Sequence, residues 1–232
     1  MKPQTVQADL RRCFVRWGLP RRIRVDNGAP WGSQGQLPPA LALWLIGLGI
    51  EVIWNRPRRA QDNGCVERTH GVMVQWVEPS RCADHQCLQE RVTWATTIQR
   101  EKYPAIGGQS RLTAHPQLLT STRPYERAHE EAHWQLSRVA GYLAQGVWQR
   151  RVDKVGRISL YNWPYAVGRR YSRQDVSVRF DPIPHQWVVL DHQGTEIIRH
   201  PAQEITRQSI LALDVSRRKH NGQSSCRSTQ GV

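Results

Sequence analysis

Apolar residues recur at helical and strand spacing in alternation over residues 1–102. Val6, Leu10 and Phe14 predict a first helix, which ends at Gly18-Leu19-Pro20. The elements predicted in this way are a helix over Thr5–Trp17, a strand over Arg22–Val25, a helix over Pro39–Leu48, a strand over Ile50–Trp54, and helices over Asn63–Val77 and Gln86–Arg100. This order is typical of an α/β layer with parallel strands.

The pattern changes after residue 102. Residues 103–145 contain Pro, Gly and Ser, and we interpret them as a linker with a short charged helix around Arg127–Val139. Short strand-like runs separated by turns then fill residues 146–201, namely Gly156–Tyr161, Val176–Phe180, Trp187–Leu190 and Glu196–Arg199. Strands at this spacing predict a small all-β barrel. Residues 202–232 are predicted to form a short helix and a disordered basic tail.

The net charge of the chain indicates which class of partner it binds. Lys and Arg number 33 against 19 Asp and Glu, which gives a formal net charge of +14. A protein this basic usually meets a polyanion, and nucleic acid is the commonest one. The basic residues are spread along the chain, which favours a broad binding face. The alternative is a basic surface that only contacts solvent.

Neither a membrane nor a disulfide framework is expected. No apolar run reaches the length of a membrane span, and the N-terminus lacks the apolar region of a signal peptide, so we expect a cytoplasmic protein. The five cysteines have no framework spacing and are interpreted as reduced thiols. Cys82, His85 and Cys87 could suggest zinc, but no second Cys/His pair follows at finger spacing.

Two carboxylates suggest phosphoryl chemistry. Asp26 directly follows a predicted strand, at the end of the sheet where α/β proteins bind ligands, and Gly28 allows the chain to turn sharply. Glu67 lies near the start of a predicted helix. If the two converge, they can hold Mg²⁺, and two such ions clamp the attacking and leaving oxygens of a phosphoryl displacement. Taken singly, each has a local explanation, since Asp-Asn-Gly is an ordinary turn and a Glu favours a helix start.

The segments around these residues resemble the DDE transposases and retroviral-type integrases, which have a ribonuclease H-like core. The matching segments are Trp17-Gly18-Leu19-Pro20, Arg24-Val25-Asp26-Asn27-Gly28-Ala29-Pro30-Trp31, Leu48-Gly49-Ile50 and Ala60-Gln61-Asp62-Asn63-Gly64-Cys65-Val66-Glu67-Arg68-Thr69-His70. Arg123-Pro124-Tyr125 and Gly156-Arg157-Ile158 look like the accessory region of bacterial insertion-sequence transposases, including those with a Mu-type C-terminal barrel. The resemblance covers nearly the whole chain.

The resemblance implies an α/β fold, with a partial ribonuclease H-like core over residues 1–102 followed by a small all-β barrel over 146–201. Asp26 matches the second catalytic Asp of the family and Glu67 its catalytic Glu, so both become ligands for Mg²⁺ or Mn²⁺. The implied activity is metal-dependent DNA integration or transposition on the bacterial nucleoid. Around the two carboxylates, the residues expected to shape the turns are Asn27, Gly28, Asn63 and Gly64.

The sequence departs from the family in two ways. Only four residues precede the first predicted helix, which leaves no room for the strand with the first catalytic Asp, and Gly71 and Val74 stand where the family has basic residues. We therefore expect a catalytically deficient chain, with a loss of at least about 10³-fold, or roughly 4 kcal/mol of barrier. The alternative is a non-catalytic DNA- or protein-binding regulator that associates with itself or with full-length transposase.

Arginines supply the predicted contacts to DNA. The guanidinium group suits phosphate through its planar fork, so we expect largely backbone contacts without sequence specificity. Tyr161, Trp163 and Tyr165 lie between the arginines and could stack on bases or fill the barrel core. The residues predicted to contact DNA are Arg22, Arg24, Arg68, Arg150, Arg151, Arg169, Arg170 and Arg173.

Overall fold

The computed structural model of the chain describes residues 2–32 and 36–217, apart from the side chain of Ala60. Most of the predicted basic tail, with Cys226, lies outside the described residues. Helix and sheet are mixed, and the C-terminal part is rich in sheet. Contacts divide the described residues into two compact units, a first unit of residues 2–32 and 48–134 and a second unit of residues 36–47 and 135–217.

The helices and strands are numbered in chain order. The helices are α1 (Pro3–Trp17), α2 (Ala40–Gly47), α3 (Gly64–Val77), α4 (His85–Glu101), α5 (Arg111–Ala114), α6 (Glu130–His133), α7 (Leu136–Leu143) and α8 (Arg207–Leu211). The strands are β1 (Arg22–Val25), β2 (Glu51–Trp54), β3 (Val147–Arg151), β4 (Arg157–Leu160), β5 (Trp163–Ala166), β6 (Asp175–Asp181), β7 (Gln186–Leu190) and β8 (Glu196–Pro201). Single 3₁₀ turns lie at Ala60–Asn63, Pro79–Arg81, Pro116–Leu119, Arg127–His129 and Arg169–Tyr171.

The first unit contains a parallel pair of strands. Strands β1 and β2 run side by side with Arg22 opposite Glu51 and Val25 opposite Trp54. The prediction of parallel strands is confirmed for this pair. Parallel pairing brings the carboxyl ends of both strands to the same edge, which is where α/β sheets place their ligands. Val25 is buried at that edge.

A single arginine ties a distant loop to the start of both strands. The guanidinium of Arg123 donates to three backbone carbonyls, those of Pro20 (2.8 Å), Leu48 (3.1 Å) and Gly49 (3.0 Å). The residues that precede β1 and β2 are thereby joined to a segment that local sequence patterns predicted only as a linker. Arginine suits this role because its five donors project in a fixed planar fork.

The turn after α1 requires a glycine. Gly18 has a φ of 77°, and a Cβ atom there would lie 1.8 Å from the hydroxyl oxygen of Ser121. The next residue, Leu19, donates its backbone N–H to the carbonyl of Arg123 at 2.8 Å. The chain therefore passes the 121–123 segment too closely for any side chain at position 18.

A buried ion pair joins α1 to α6. Glu130 is 1% exposed and accepts from Nε (2.9 Å) and Nη2 (2.6 Å) of Arg11, and also from the hydroxyl of Tyr125. Burial alone would raise the pKa of Glu130, but the hydrogen bonds from Arg11 and Tyr125 outweigh it and the pKa is lowered. Burial and the neighbouring carboxylate raise the pKa of Tyr125 to about 12. The carboxylate is therefore held in its charged form.

The predicted single helix over Arg127–Val139 is wrong. The chain forms a 3₁₀ turn and the short helix α6, becomes extended at Trp134 and Gln135, and then begins α7. Trp134 is 2% exposed and has a ψ of 129°, so the extended backbone accompanies a ring that is fully buried. Burying this indole outweighs the local preference for a continuous helix.

The second unit contains an antiparallel sheet with the strand order β3-β6-β7-β8 and a separate hairpin of β4 and β5. Trp187 on β7 is fully buried and packs edge-on against Trp148 (5.9 Å) and Phe180 (5.0 Å). The four predicted strands are confirmed, whereas β3 and β5 were not predicted. Strand β3 ends in two arginines and β5 contains Pro164, which weakens the pattern expected of a strand.

Helix α2 packs on α7 and α8 within the second unit. Its sequence, ALALWLIG, has no polar face, and every residue from Leu41 to Gly47 is buried. A helix that is apolar on all sides is stable only when it is covered on all sides.

A buried carboxyl, that of Glu204, accepts from the hydroxyl of Tyr165 and from Nε1 of Trp187 (2.9 Å). Burial raises the pKa of Glu204.

Candidate functional site

The Asp26 carboxylate lies just beyond β1 and is exposed. Its Oδ1 atom accepts from the backbone N–H of Gly28 at 3.3 Å, so the side chain closes a turn over its own backbone. A Cβ atom at Gly28 would lie 3.3 Å from Oδ2 of Asp26, which is closer than most side-chain contacts. Gly28 thus leaves room for the carboxylate to lie against the turn.

Three asparagines connect this turn to β2 and to the start of α3. Nδ2 of Asn27 donates to the backbone carbonyl of Asn55 at 2.8 Å, and Nδ2 of Asn55 donates to Oδ1 of Asn63. Asn55 also donates its backbone N–H to the carbonyl of Val25 at 2.9 Å. It is 5% exposed, and these bonds fix the ends of both strands relative to the residue before α3. Sequence reasoning missed Asn55. It directly follows β2, and Asn27 is the second residue after β1, so the two asparagines have similar positions at the strand ends.

Glu67 lies in the first turn of α3 and is exposed. Asn63 immediately precedes that helix, so the asparagine network fixes the end of the element on which Glu67 stands. Gly64 has ordinary helical angles (φ −55°, ψ −31°), and a Cβ atom there would meet nothing within 4 Å. Steric demands therefore do not explain a glycine at position 64, and the contacts of Asn63 hold the turn instead.

A third carboxylate, that of Asp62, is engaged by an arginine. Asp62 accepts from Nη2 of Arg56 at 2.7 Å and from Nε and the backbone N–H of the same residue at 3.1 Å each. The hydrogen bonds from Arg56 hold the pKa of Asp62 far below its usual range. Its side chain is 7% exposed, so it stabilises the loop between β2 and α3.

The donors around Asp26 and Glu67 are of the kind that Mg²⁺ prefers. Both carboxylates are exposed, and neither forms an ion pair with a described Lys or Arg. The Oδ1 atom of Asn55 is buried and has no hydrogen-bond partner, so an oxygen donor is left over close to the two strand ends. Within residues 2–32 and 36–217, however, no three His, Cys, Asp or Glu side chains are grouped closely enough to hold a metal ion. Asp26 and Glu67 therefore supply the type of oxygen ligand that Mg²⁺ takes, without a group of three such ligands in the described part of the chain.

The predicted DNA-contacting arginines of the first unit differ in their surroundings. Arg22 forms an ion pair across the strands with Glu51 (2.7 Å), in which both side chains are largely exposed. Arg24 on β1 is exposed, and its charge adds to the hydrogen bonds from Arg56 in lowering the pKa of Asp62. Arg68 lines a cavity beside α3. Arg22 and Arg24 thus lie two positions apart on β1, and Arg68 lies on α3.

In the second unit, two loops bring basic residues together. The backbone N–H of Arg173 donates to the carbonyl of Val152 (3.0 Å), and Ser172 donates to the carbonyl of Asp153 (3.2 Å). A Cβ atom at Gly156 would lie 2.6 Å from the backbone of Gly168, so the loops touch. We call the resulting set the basic surface, and its members are Lys154, Arg157, Arg169, Arg170 and Arg173.

The basic surface is exposed, and the Asp153 carboxylate in the same loops accepts from backbone N–H groups, including that of Arg157 at 2.8 Å. Each of its five side chains is exposed, and none forms an ion pair with an acid in the described part of the chain. Arg170 lies over the ring of Tyr171 at 4.7 Å. Arg151, by contrast, pairs with Asp175 at 3.6 Å, and Arg150 is partly buried, which lowers its pKa. Of the predicted residues, Arg169, Arg170 and Arg173 thus belong to the two touching loops, and Arg150 and Arg151 are the last two residues of β3.

In a comparison with models of known protein families, no family model matches the chain. Among the described residues, none of the helices is both long enough and apolar enough to pass through a bilayer.

Proposed function

We propose that the chain is a DNA integration or transposition protein of the DDE type, in which Asp26 and Glu67 are metal ligands. In this proposal residues 1–102 are part of a ribonuclease H-like core, and residues 146–201 form a small β-barrel that binds DNA. DNA is the main partner, and association with another transposase chain would complete the assembly.

The observation that supports the catalytic part is the asparagine network. Asn27, Asn55 and Asn63 join the ends of two parallel strands to the start of α3, and a carboxylate stands close to each end of that chain of hydrogen bonds. A metal site needs ligands whose positions are fixed by their surroundings. Mg²⁺ held by Asp26 and Glu67 would supply charge stabilisation at a phosphate undergoing displacement.

The observation that supports the binding part is the basic surface. Its five cations lie in two touching loops and at the start of β4, and none forms a side-chain ion pair in the described residues, which favours phosphate as their partner. The same observation favours the second candidate function, a non-catalytic DNA-binding regulator of full-length transposase. That function needs the second unit and association with the transposase but does not need Asp26 or Glu67.

The experiment is a nicking and strand-transfer assay on labelled DNA with Mn²⁺. The proposal of a deficient chain predicts activity at least about 10³-fold below that of a complete two-metal enzyme, with DNA binding retained. Residual activity must fall in both Asp26→Ala and Glu67→Ala and stay unchanged in Asp9→Asn, since Asp9 forms only an exposed ion pair with Arg12. Activity that survives both substitutions contradicts the assignment of these carboxylates.

If no activity is measurable, the two candidate functions separate on a mixing experiment. A regulator would inhibit strand transfer by a complete transposase when the two chains are mixed, and an alanine variant of the basic surface would inhibit less. If the chain shows no nicking activity and also no DNA binding, both candidate functions are contradicted.

A further inference from the structure

A cavity of about 490 Å³ lies beside α3 in the first unit. Helix α3 contributes five lining residues at the spacing of a single helix face, and the rest of the lining comes from the 3₁₀ turn before α3, from α4, from the loop after α4 and from α5. The lining includes Cys65, Arg68, Thr69, Gln99, Tyr103 and Arg111.

This cavity is separate from the candidate metal site. At 3.6 residues per turn, the lining positions of α3 are centred about 130° around the helix from Glu67. The carboxylate and the cavity therefore use different faces of α3. Arg68, which directly follows Glu67 in sequence, belongs to the cavity side.

The charge of the cavity is positive and uncompensated. Its described lining includes two guanidinium groups and no acidic residue. Arg111 is held in place by neutral acceptors, because its Nη1 donates to both the backbone carbonyl and the side-chain oxygen of Gln99 at 2.6 Å each. Arg68 is exposed and has no hydrogen bond or ion pair from its side chain within the described residues. Two arginines without a counter-charge favour an anion that both can reach.

The size and the remaining lining narrow the kind of anion. A volume of this order suits a ligand larger than an inorganic ion, since organic ligands occupy pockets of roughly 300–1,000 Å³. Tyr103 presents a partly exposed ring that packs edge-on against Trp76 at 5.4 Å. An aromatic ring next to cations is the combination that binds a base and its phosphate.

We propose that this cavity binds a nucleotide, with Arg68 and Arg111 on the phosphate and Tyr103 against the base. The nucleotide is either free or part of a single DNA strand, and only the second source rests on the proposed function. Thr69 and Gln99 supply neutral hydrogen-bonding groups in the same lining.

A cysteine in the lining of the cavity can report ligand binding through its rate of alkylation. Cys65 lines it and is exposed, whereas Cys13 on α1 is also exposed but lies outside it. The experiment measures alkylation of each cysteine by iodoacetamide, followed by mass spectrometry, with no ligand, with dAMP and with a short oligo(dT). At a ligand concentration ten times the Kd, we expect alkylation of Cys65 to slow by about tenfold and that of Cys13 to stay constant.

Four variants make the test specific. Arg68→Ala and Arg111→Ala should each abolish the protection of Cys65 at the same ligand concentration. Arg81→Ala should keep it, because Arg81 pairs with Glu78 outside the cavity. Circular dichroism spectra identify any variant that fails to fold, and Arg68→Lys, which keeps the charge, should restore part of the protection.

Each outcome bears on the proposal. Protection by dAMP shows that a free nucleotide suffices, and protection by oligo(dT) alone identifies a DNA strand as the source. Failure of both ligands to protect Cys65, or full protection in Arg68→Ala and Arg111→Ala, overturns the proposal. The readout needs no divalent ion and no strand transfer, so a chain without catalytic activity can still pass this test.

Discussion

The buried carboxylate of Glu130 allows a quantitative prediction about the first unit. Glu130 is 1% exposed and its main partner, Arg11, has an 18% exposed side chain. Glu130→Gln keeps the shape of the side chain and removes its charge, which leaves the Arg11 guanidinium largely buried without a counter-charge. Arg127 also contacts Glu130 at 3.0 Å, but its side chain is 55% exposed.

The magnitude follows from this difference in burial. Removing one partner of a buried pair destabilises a protein by about 3–5 kcal/mol, whereas an exposed pair contributes roughly 0–1 kcal/mol. Because Arg11 retains some contact with water, we expect Glu130→Gln to lower the free energy of unfolding by about 3 kcal/mol. Arg127→Ala, the matched control on the same carboxylate, should lower it by less than about 1 kcal/mol.

The assay is urea unfolding followed by tryptophan fluorescence, with Arg11→Met and the double variant completing a thermodynamic cycle. The pair should show a coupling free energy of at least about 1 kcal/mol, since its members share two hydrogen bonds. Equal losses in Glu130→Gln and Arg127→Ala, or additive single losses for Glu130 and Arg11, would refute the reasoning.

The pH dependence has a definite sign. The pKa of Glu130 lies below its ordinary value of 4.5 in the folded chain, so the unfolded chain binds the proton more readily. Its stabilising contribution is fully present above that ordinary value and is lost as the pH falls through the lower, folded value. The difference between the parent chain and Glu130→Gln should therefore shrink as the pH falls below 4.5. A difference that stays constant over that range is inconsistent with a charged Glu130.

Three further predictions concern other parts of the chain. Gly18→Ala should lower the free energy of unfolding by at least about 2 kcal/mol, because Gly18 has a φ of 77° and its Cβ position is blocked. The control Gly64→Ala should be neutral or raise the free energy of unfolding by up to about 1 kcal/mol. Equal urea midpoints for the two variants would contradict this prediction. Arg123→Ala loses its bonds to three carbonyls and should cost about 3 kcal/mol, with partial recovery in the lysine variant; a loss below 1 kcal/mol on the same assay would count against the role of Arg123. Combined Arg169→Ala and Arg170→Ala should lower the slope of log binding constant against log salt concentration by about 1.8 in a DNA titration, and an unchanged slope would remove them from the interface.

Local patterns predicted most of the elements that position the candidate site. Strand β1 matches its prediction residue for residue, and the helices around Glu67 agree within a residue or two, because apolar spacing and turn residues determine them nearby in sequence. The parallel pairing of β1 and β2 followed from the helix between them. The prediction of Asp26 and Glu67 as metal ligands came from the same segments.

The rest depends on contacts between distant residues, which leave no local pattern. Arg11 and Glu130 are 119 positions apart, and neither is unusual in its own surroundings in the sequence. The break at Trp134 depends on where its ring is buried. Asp62 stands in the same motif as Glu67, and only the structure shows that Arg56 engages it. The cavity beside α3 likewise needs residues from three helices that no single segment contains.

The central claim is that Asp26 and Glu67 belong to one divalent-ion site, and Mn²⁺ binding followed by electron paramagnetic resonance tests it most directly. The account predicts a site that is lost in Asp26→Ala and equally in Glu67→Ala, while Asp9→Asn retains it. If Mn²⁺ does not bind, or if it binds undiminished after either carboxylate is removed, the two residues do not share an ion and the proposed catalytic role fails.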